Sequence, residues 1–163
     1  MEETANRDAA VQQLTDVMWK FTAYIGKRLP TDVTTKLADL RSKETHPLAA
    51  AVYQSMKENQ EAADRLDRPS CQDTGVIQYF INAGARFPLL GELEDILRNA
   101  TLEATRQGPL RHNAVETFDE KNTGTNTGSK IPWLDWEIDP KGDSATIDVY
   151  MAGGGCTLPG AAK

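Results

Sequence analysis

The apolar residues of this chain change their period at Pro69, and that break constrains the fold more than any other feature. Before it, Val11, Leu14, Met18, Phe21 and Ile25 recur at intervals of 3, 4, 3 and 4, which lines one face of a helix. Asp8 is read as the cap of that helix and Pro30 as its stop. Thr31 or Asp32 can cap a second, shorter helix carrying Val33, Leu37 and Leu40. A third opens near Thr45 with Pro47 in its first turn, carries Leu48, Val52, Met56 and the Ala62–Ala63 pair, and ends before Pro69. All three apolar stripes are read as packing surfaces, Met18 and Met56 included.

After Pro69 the texture is that of a sheet. Val76-Ile77-Gln78-Tyr79-Phe80-Ile81 is β-branched and aromatic, which predicts a buried strand directly after Cys71. Gly84 and Pro88 punctuate a loop, and Leu90, Leu93, Leu97, Ala100 and Ala104 predict a helix that breaks at Gly108-Pro109. Asn122 to Gly128 contains no apolar residue and reads as a turn-rich loop. Two strands follow, Trp133–Ile138 and Ala145–Tyr150, with Pro140-Lys141-Gly142-Asp143 as a hairpin turn between them. Helices first, then strands mixed with a helix, predict an α+β fold rather than a doubly wound sheet. The expected organisation is a helical part over residues 8–67 and a site-bearing part over 68–163.

Charge and cysteine content exclude several functions. Lys and Arg number 18 against 24 Asp and Glu, a formal charge of −6, and there is no basic run. A nucleic-acid partner is therefore not expected. The acidic start, Met1 to Asp8, lacks the basic and apolar regions of a signal peptide, and no apolar stretch has membrane-spanning length. The expected location is cytoplasmic, with no membrane partner. In that reducing setting Cys71 and Cys156 form no disulfide framework, and a small buried hydrophobe is the default role of each.

Three segments carry groups suited to chemistry. Cys71-Gln72-Asp73-Thr74-Gly75 puts a soft thiolate ligand on a loop between a helix end and a strand. Asp73 is an acid–base candidate two residues on, and Gln72 can orient a polar ligand. Arg111, just past a helix break, can clamp a carboxylate through two parallel hydrogen bonds, or form an ordinary surface ion pair. His112 beside it can shuttle protons or cap a carbonyl; His46 reads as a helix-start residue. Gly153-Gly154-Gly155 follows a strand and could offer successive N–H groups to an anion, or form a plain turn. It lacks the Lys-Ser/Thr pair of a phosphate-binding loop.

Five blocks in order resemble one family: Arg68–Gly75, Arg86–Leu93, Pro109–Glu116, Asn122–Gly128 and Tyr150–Gly160. They look like the alpha subunits of tartrate dehydratases, iron–sulfur hydro-lyases grouped with the class I fumarases. The resemblance runs from the first helix to Lys163. It implies a [4Fe–4S] cluster held by three cysteines, with Cys71 matching the first ligand and the other two lying in sequence beyond Lys163. It further implies a dicarboxylic hydroxy-acid substrate contacted by Gln72, Asp73, Arg111 and the Gly153–Gly155 turn. Asp73 would belong to the proton-handling network, and Cys156 would be a buried neighbour of the site. A beta subunit is the implied partner. The chain is accordingly expected to be an incomplete N-terminal domain of that family, inactive alone. The expected reaction is L(+)-tartrate to oxaloacetate plus water, with malate/fumarate interconversion or a non-catalytic assembly fragment as alternatives.

Overall fold

The computed structural model describes residues 2–71, 73–108, 110–116 and 118–153, apart from the side chains of residues 2 and 3. Along these residues run α1 (Glu2–Lys27), α2 (Thr31–Lys43), α3 (Pro47–Leu66), β1 (Val76–Gly84), α4 (Leu93–Gln107), β2 (Trp133–Asp139) and β3 (Ala145–Ala152). The fold is α+β, with the helical half and the strand half on either side of Pro69 as the change of period predicts. Pro47 opens α3 with His46 at its N-cap, since a missing N–H costs nothing in the first turn. Helix α1 begins at Glu2, so Asp8 lies inside it rather than capping it.

The three strands form one sheet in the order β2-β1-β3, with β1 parallel to β2 and antiparallel to β3. The hairpin expected between the last two strands is therefore not formed. β2 and β3 are the two edges, and residues 140–144 cross the end of β1 to join them. Two strand spacings, about 9–10 Å, exceed the reach of a tight hairpin turn. The crossing is held by backbone bonds from the Gly84 N–H to Ser144 at 2.8 Å and from the Arg86 N–H to Gly142 at 3.0 Å. It passes so near that a Cβ on Gly84 would lie 2.1 Å from the Gly142 carbonyl carbon. β1, at the centre, carries no charged residue, whereas β2 and β3 carry Asp135, Glu137 and Asp148, which suit solvated edges.

One face of the sheet holds the core. Ile77, Tyr79, Ile81 and Ala83 of β1 point into it, with Met151, Val149, Ile147 and Ala145 of β3 in register beside them. Leu93, Leu97, Ala100 and Ala104 of α4, and Met18 and Ala23 of α1, close that face. The buried side of α1 is rotated from the predicted stripe: Thr15 and Thr22 are buried, and Phe21 is exposed. Thr22 is there because Tyr79 is fully buried and its hydroxyl needs partners, which Thr22 and Thr101 supply at 3.1 Å each. Burial raises the Tyr79 hydroxyl above its ordinary acidity range, with the two threonine bonds opposing the shift.

Helices α2 and α3 depart from the packing expectation. α2 has no buried residue and α3 buries only Ala63, while Leu48, Val52 and Met56 are exposed. Leu37 of α2 and Met56 of α3 instead line a cavity between the two helices. The opposite face of the sheet also shows large side chains to solvent, Phe80, Trp133 and Tyr150. Among the described residues, no helix is long and apolar enough to cross a membrane.

Candidate functional site

The candidate residues meet at the N-terminal end of β1. The irregular segment before that strand is anchored at Ser70, whose N–H donates to the Gly26 carbonyl at 3.4 Å and whose carbonyl accepts from the Asn59 amide at 2.6 Å. α1 and α3 thus fix the chain one residue before Cys71. The Cys71 thiol is exposed, contrary to the default expectation of a buried hydrophobe. Asp73 turns the chain into β1 by accepting the Gly75 N–H at Oδ1, 2.9 Å, an Asx turn.

Gly75 joins this loop to the end of β3. Its φ is +83, and a Cβ there would lie 2.6 Å and 2.7 Å from the carbonyl carbon and oxygen of Ala152 and 2.8 Å from the Gly153 nitrogen. Only glycine combines that backbone conformation with so close an approach. Gly153, the first of three successive glycines, is thereby set against Gly75.

The third segment arrives from the C-terminal end of α4. Leu110 is buried in the core, and the Arg111 N–H donates to the Thr74 hydroxyl at 3.1 Å. Asn113 spreads its side-chain amide over the loop, donating to Asp73 Oδ1 at 3.2 Å, the Gly75 carbonyl at 3.3 Å and Thr74 Oγ1 at 3.4 Å. Beneath lies Asn126, buried, with φ +55, bonded to the main chain of Arg111, Asn113 and Ala114. The side chains of Cys71, Asp73 and Arg111 are exposed, whereas Thr74, Gly75, Ala114 and Asn126 beneath them are buried. The result is a thiol, a carboxylate and a guanidinium carried by adjoining segments over a hydrogen-bonded base.

The structure therefore brings Cys71, Asp73, Arg111 and Gly153 to one corner. Gln72, Gly154, Gly155 and Cys156 lie outside the described residues. His112 is exposed and its carbonyl accepts from the Asn122 amide; His46 stays at the start of α3, as predicted. Among the described residues no group of three or more His, Cys, Asp or Glu could hold a metal ion. The exposed Cys71 sulfur could fill one ligand position of a larger centre and cannot make a centre by itself. A cavity of about 470 Å³ between α2 and α3, lined by Leu37, Tyr53 and Met56 among others, contains none of these groups.

Sequence reasoning assigned no role to Thr74, Asn113 or Asn126. The signal for Asn126 was its place among glycines and threonines, where a residue with positive φ is expected to be Gly or Asn. That its side chain would turn inward could not be read there.

The description fumarate hydratase (Fumerase) belongs to a family model that matches residues 15–163. Over all 163 residues the chain is 54% identical to an L(+)-tartrate dehydratase subunit alpha of Escherichia coli (strain UTI89), covering 54% of that protein. Its identity to the protein of the same name in Escherichia coli (strain K12) is 53%, with the same coverage. A protein of Geobacillus stearothermophilus whose name assigns it to fumarate hydratase class I is 27% identical over 147 residues, 90% of this chain and 28% of its own length. The chain thus spans about half the length of the tartrate dehydratase subunits it matches.

Proposed function

The chain belongs to the fumarate hydratase (Fumerase) family, and on that premise we propose that it supplies one wall of the active site of an iron–sulfur hydro-lyase that dehydrates L(+)-tartrate. The observation carrying this reading is the meeting of Cys71, Asp73, Arg111 and Gly153 at the end of β1, from three segments far apart in sequence. Tartrate is preferred to malate or fumarate because identity to the tartrate dehydratase subunits is 54%, against 27% to the class I fumarate hydratase relative.

In this reading Cys71, whose thiol is exposed, is one cysteine ligand of a [4Fe–4S] cluster, and the remaining ligands come from outside the described residues. The bound cluster supplies Lewis acidity toward the substrate hydroxyl. Arg111 holds one substrate carboxylate through two parallel hydrogen bonds, which fixes the position of the adjacent carbons. Asp73, kept in place by the Gly75 N–H and the Asn113 amide, serves the proton transfers that elimination requires. Gln72 and the Gly153–Gly155 turn contact the substrate's polar atoms. Loss of a hydroxyl from one carbon and a proton from its neighbour gives water and an enol, which becomes oxaloacetate. A beta subunit is the proposed partner and completes the acid–base set.

The test is anaerobic reconstitution of the complete alpha and beta assembly with iron and sulfide, followed by oxaloacetate formation from L(+)-tartrate. Malate/fumarate interconversion without tartrate turnover would reject the substrate. Cys71→Ala should lose bound iron, the cluster's visible absorbance and activity together; retention of all three rejects the ligand assignment.

A further inference from the structure

Asn126 lies in a loop without apolar residues, yet it is 4% exposed. Every hydrogen-bonding position of its side-chain amide is used. Oδ1 accepts the N–H groups of Asn113 at 2.7 Å and Ala114 at 3.3 Å, and Nδ2 donates to the Arg111 carbonyl at 2.7 Å and to Thr105 Oγ1 at 3.2 Å. Thr105 is buried in α4 and its hydroxyl donates to the Thr101 carbonyl at 2.8 Å, while Thr101 also bonds Tyr79 of the central strand. A continuous set of bonds, buried as far as Asn126, thus leads from the middle of the sheet to the main chain that carries Arg111.

We propose that Asn126 is a positioning residue for Arg111: it indexes the Arg111–Ala114 main chain to α4, and carboxylate capture by the guanidinium depends on that placement. The inference rests on the reading of Arg111 as a carboxylate clamp. The physical ground is orientation. A guanidinium accepts a carboxylate in two parallel bonds only if both the plane and the origin of the side chain are correct. Arg111's side chain is exposed, so the part the fold can hold is its main chain. That main chain has two side-chain anchors, Thr74 on its N–H and Asn126 on its carbonyl. Removal of Asn126's amide leaves the buried Ala114 N–H, the part-buried Asn113 N–H and two acceptors without it, and the segment must move toward water to satisfy them.

The φ of +55 allows a clean variant, because glycine adopts that backbone without strain while losing the whole hub. Asn126→Asp keeps the acceptor and the shape but loses both donors. L(+)-tartrate is titrated into the full chain, and binding is read from the NMR shift of the Arg111 Nε–H. The wild-type signal should move saturably, Asn126→Gly should bind about tenfold or more weakly, and Asn126→Asp should fall between. In the assembled enzyme the same variants should raise KM for tartrate more than they lower kcat, with melting still cooperative. If Asn126→Gly does not fold, Asn126→Asp and Thr105→Val decide the matter. Wild-type affinity and KM in folded variants overturn the inference. A wild-type Arg111 signal that ignores tartrate rejects the clamp reading, and this inference with it, before any variant is made.

Discussion

Alanine at position 75 should separate the two segments that the candidate site joins. A φ of +83 costs a residue bearing a Cβ about 1–2 kcal/mol relative to glycine. The added carbon also meets the Ala152 carbonyl and Gly153 nitrogen at 2.6–2.8 Å, too close for any real contact. Both are backbone atoms, so no side-chain rotation relieves the clash, and overpacking of this kind costs about 1–3 kcal/mol. Alanine recovers a little by restricting the unfolded chain, about 0.4–1 kcal/mol. The net loss is about 1–5 kcal/mol. For a chain of 163 residues that lowers Tm by about 2–20 °C. The assay is thermal unfolding followed by circular dichroism, with Gly91→Ala as the control, since a Cβ there meets nothing within 4 Å. If the strain is relieved instead by movement of Gly153, the proposed assembly should lose on the order of a hundredfold in kcat/KM, the loss that a misplacement of about 1 Å can bring. A Gly75→Ala chain that melts within about 2 °C of wild type and keeps full activity would refute the close approach on which the site's geometry depends.

Tyr79→Phe removes the hydroxyl shared by Thr22 and Thr101 and should cost about 1–2 kcal/mol in chemical denaturation. Burial raises the folded hydroxyl's pKa above the ordinary 10.0, so its contribution is whole below about pH 10 and is lost as pH climbs through the folded value. The two stability curves should converge in strong alkali; a gap that stays constant to high pH would refute that assignment. Arg7 bonds Glu92 at 2.7 Å and 2.9 Å, tying α1 to the turn before α4, and holds the Glu92 carboxyl below its usual range. A carboxylate with a lowered folded pKa stabilises above about pH 4.5 and loses that contribution as pH falls through the folded value. Arg7→Ala should therefore differ from wild type at neutral pH and match it in acid, as read by melts across pH 3–7.

Much of the fold could be read from periodicity. The three leading helices, the Pro47 start, the strand after Cys71 and the loop rich in Asn and Gly all follow from local spacing and backbone chemistry. Strand order could not, because Trp133–Asp139 and Ala145–Ala152 look like a hairpin when only neighbours in sequence are compared. Their separation by β1 depends on which strand is apolar enough for the centre, a competition among all three. Helical period likewise located the stripe of Leu48, Val52 and Met56 without saying whether anything in these residues covers it. Polar partners were the least visible: Thr22 is buried for the sake of Tyr79, and no amphipathic pattern contains that demand.

For the candidate site, the sequence alone supplied the candidate groups and their family, because thiol, carboxylate and guanidinium are properties of residue types and the five blocks occur in order. Tertiary structure decided that Cys71 faces solvent, that Asp73 and Arg111 share one base, and that Gly153 is held against them. It also decided that Asn113 and Asn126, unmarked in sequence, do the holding. Residue chemistry is carried by each monomer, but placement depends on bonds between segments about 40 residues apart, and only the folded chain brings such segments within hydrogen-bonding distance.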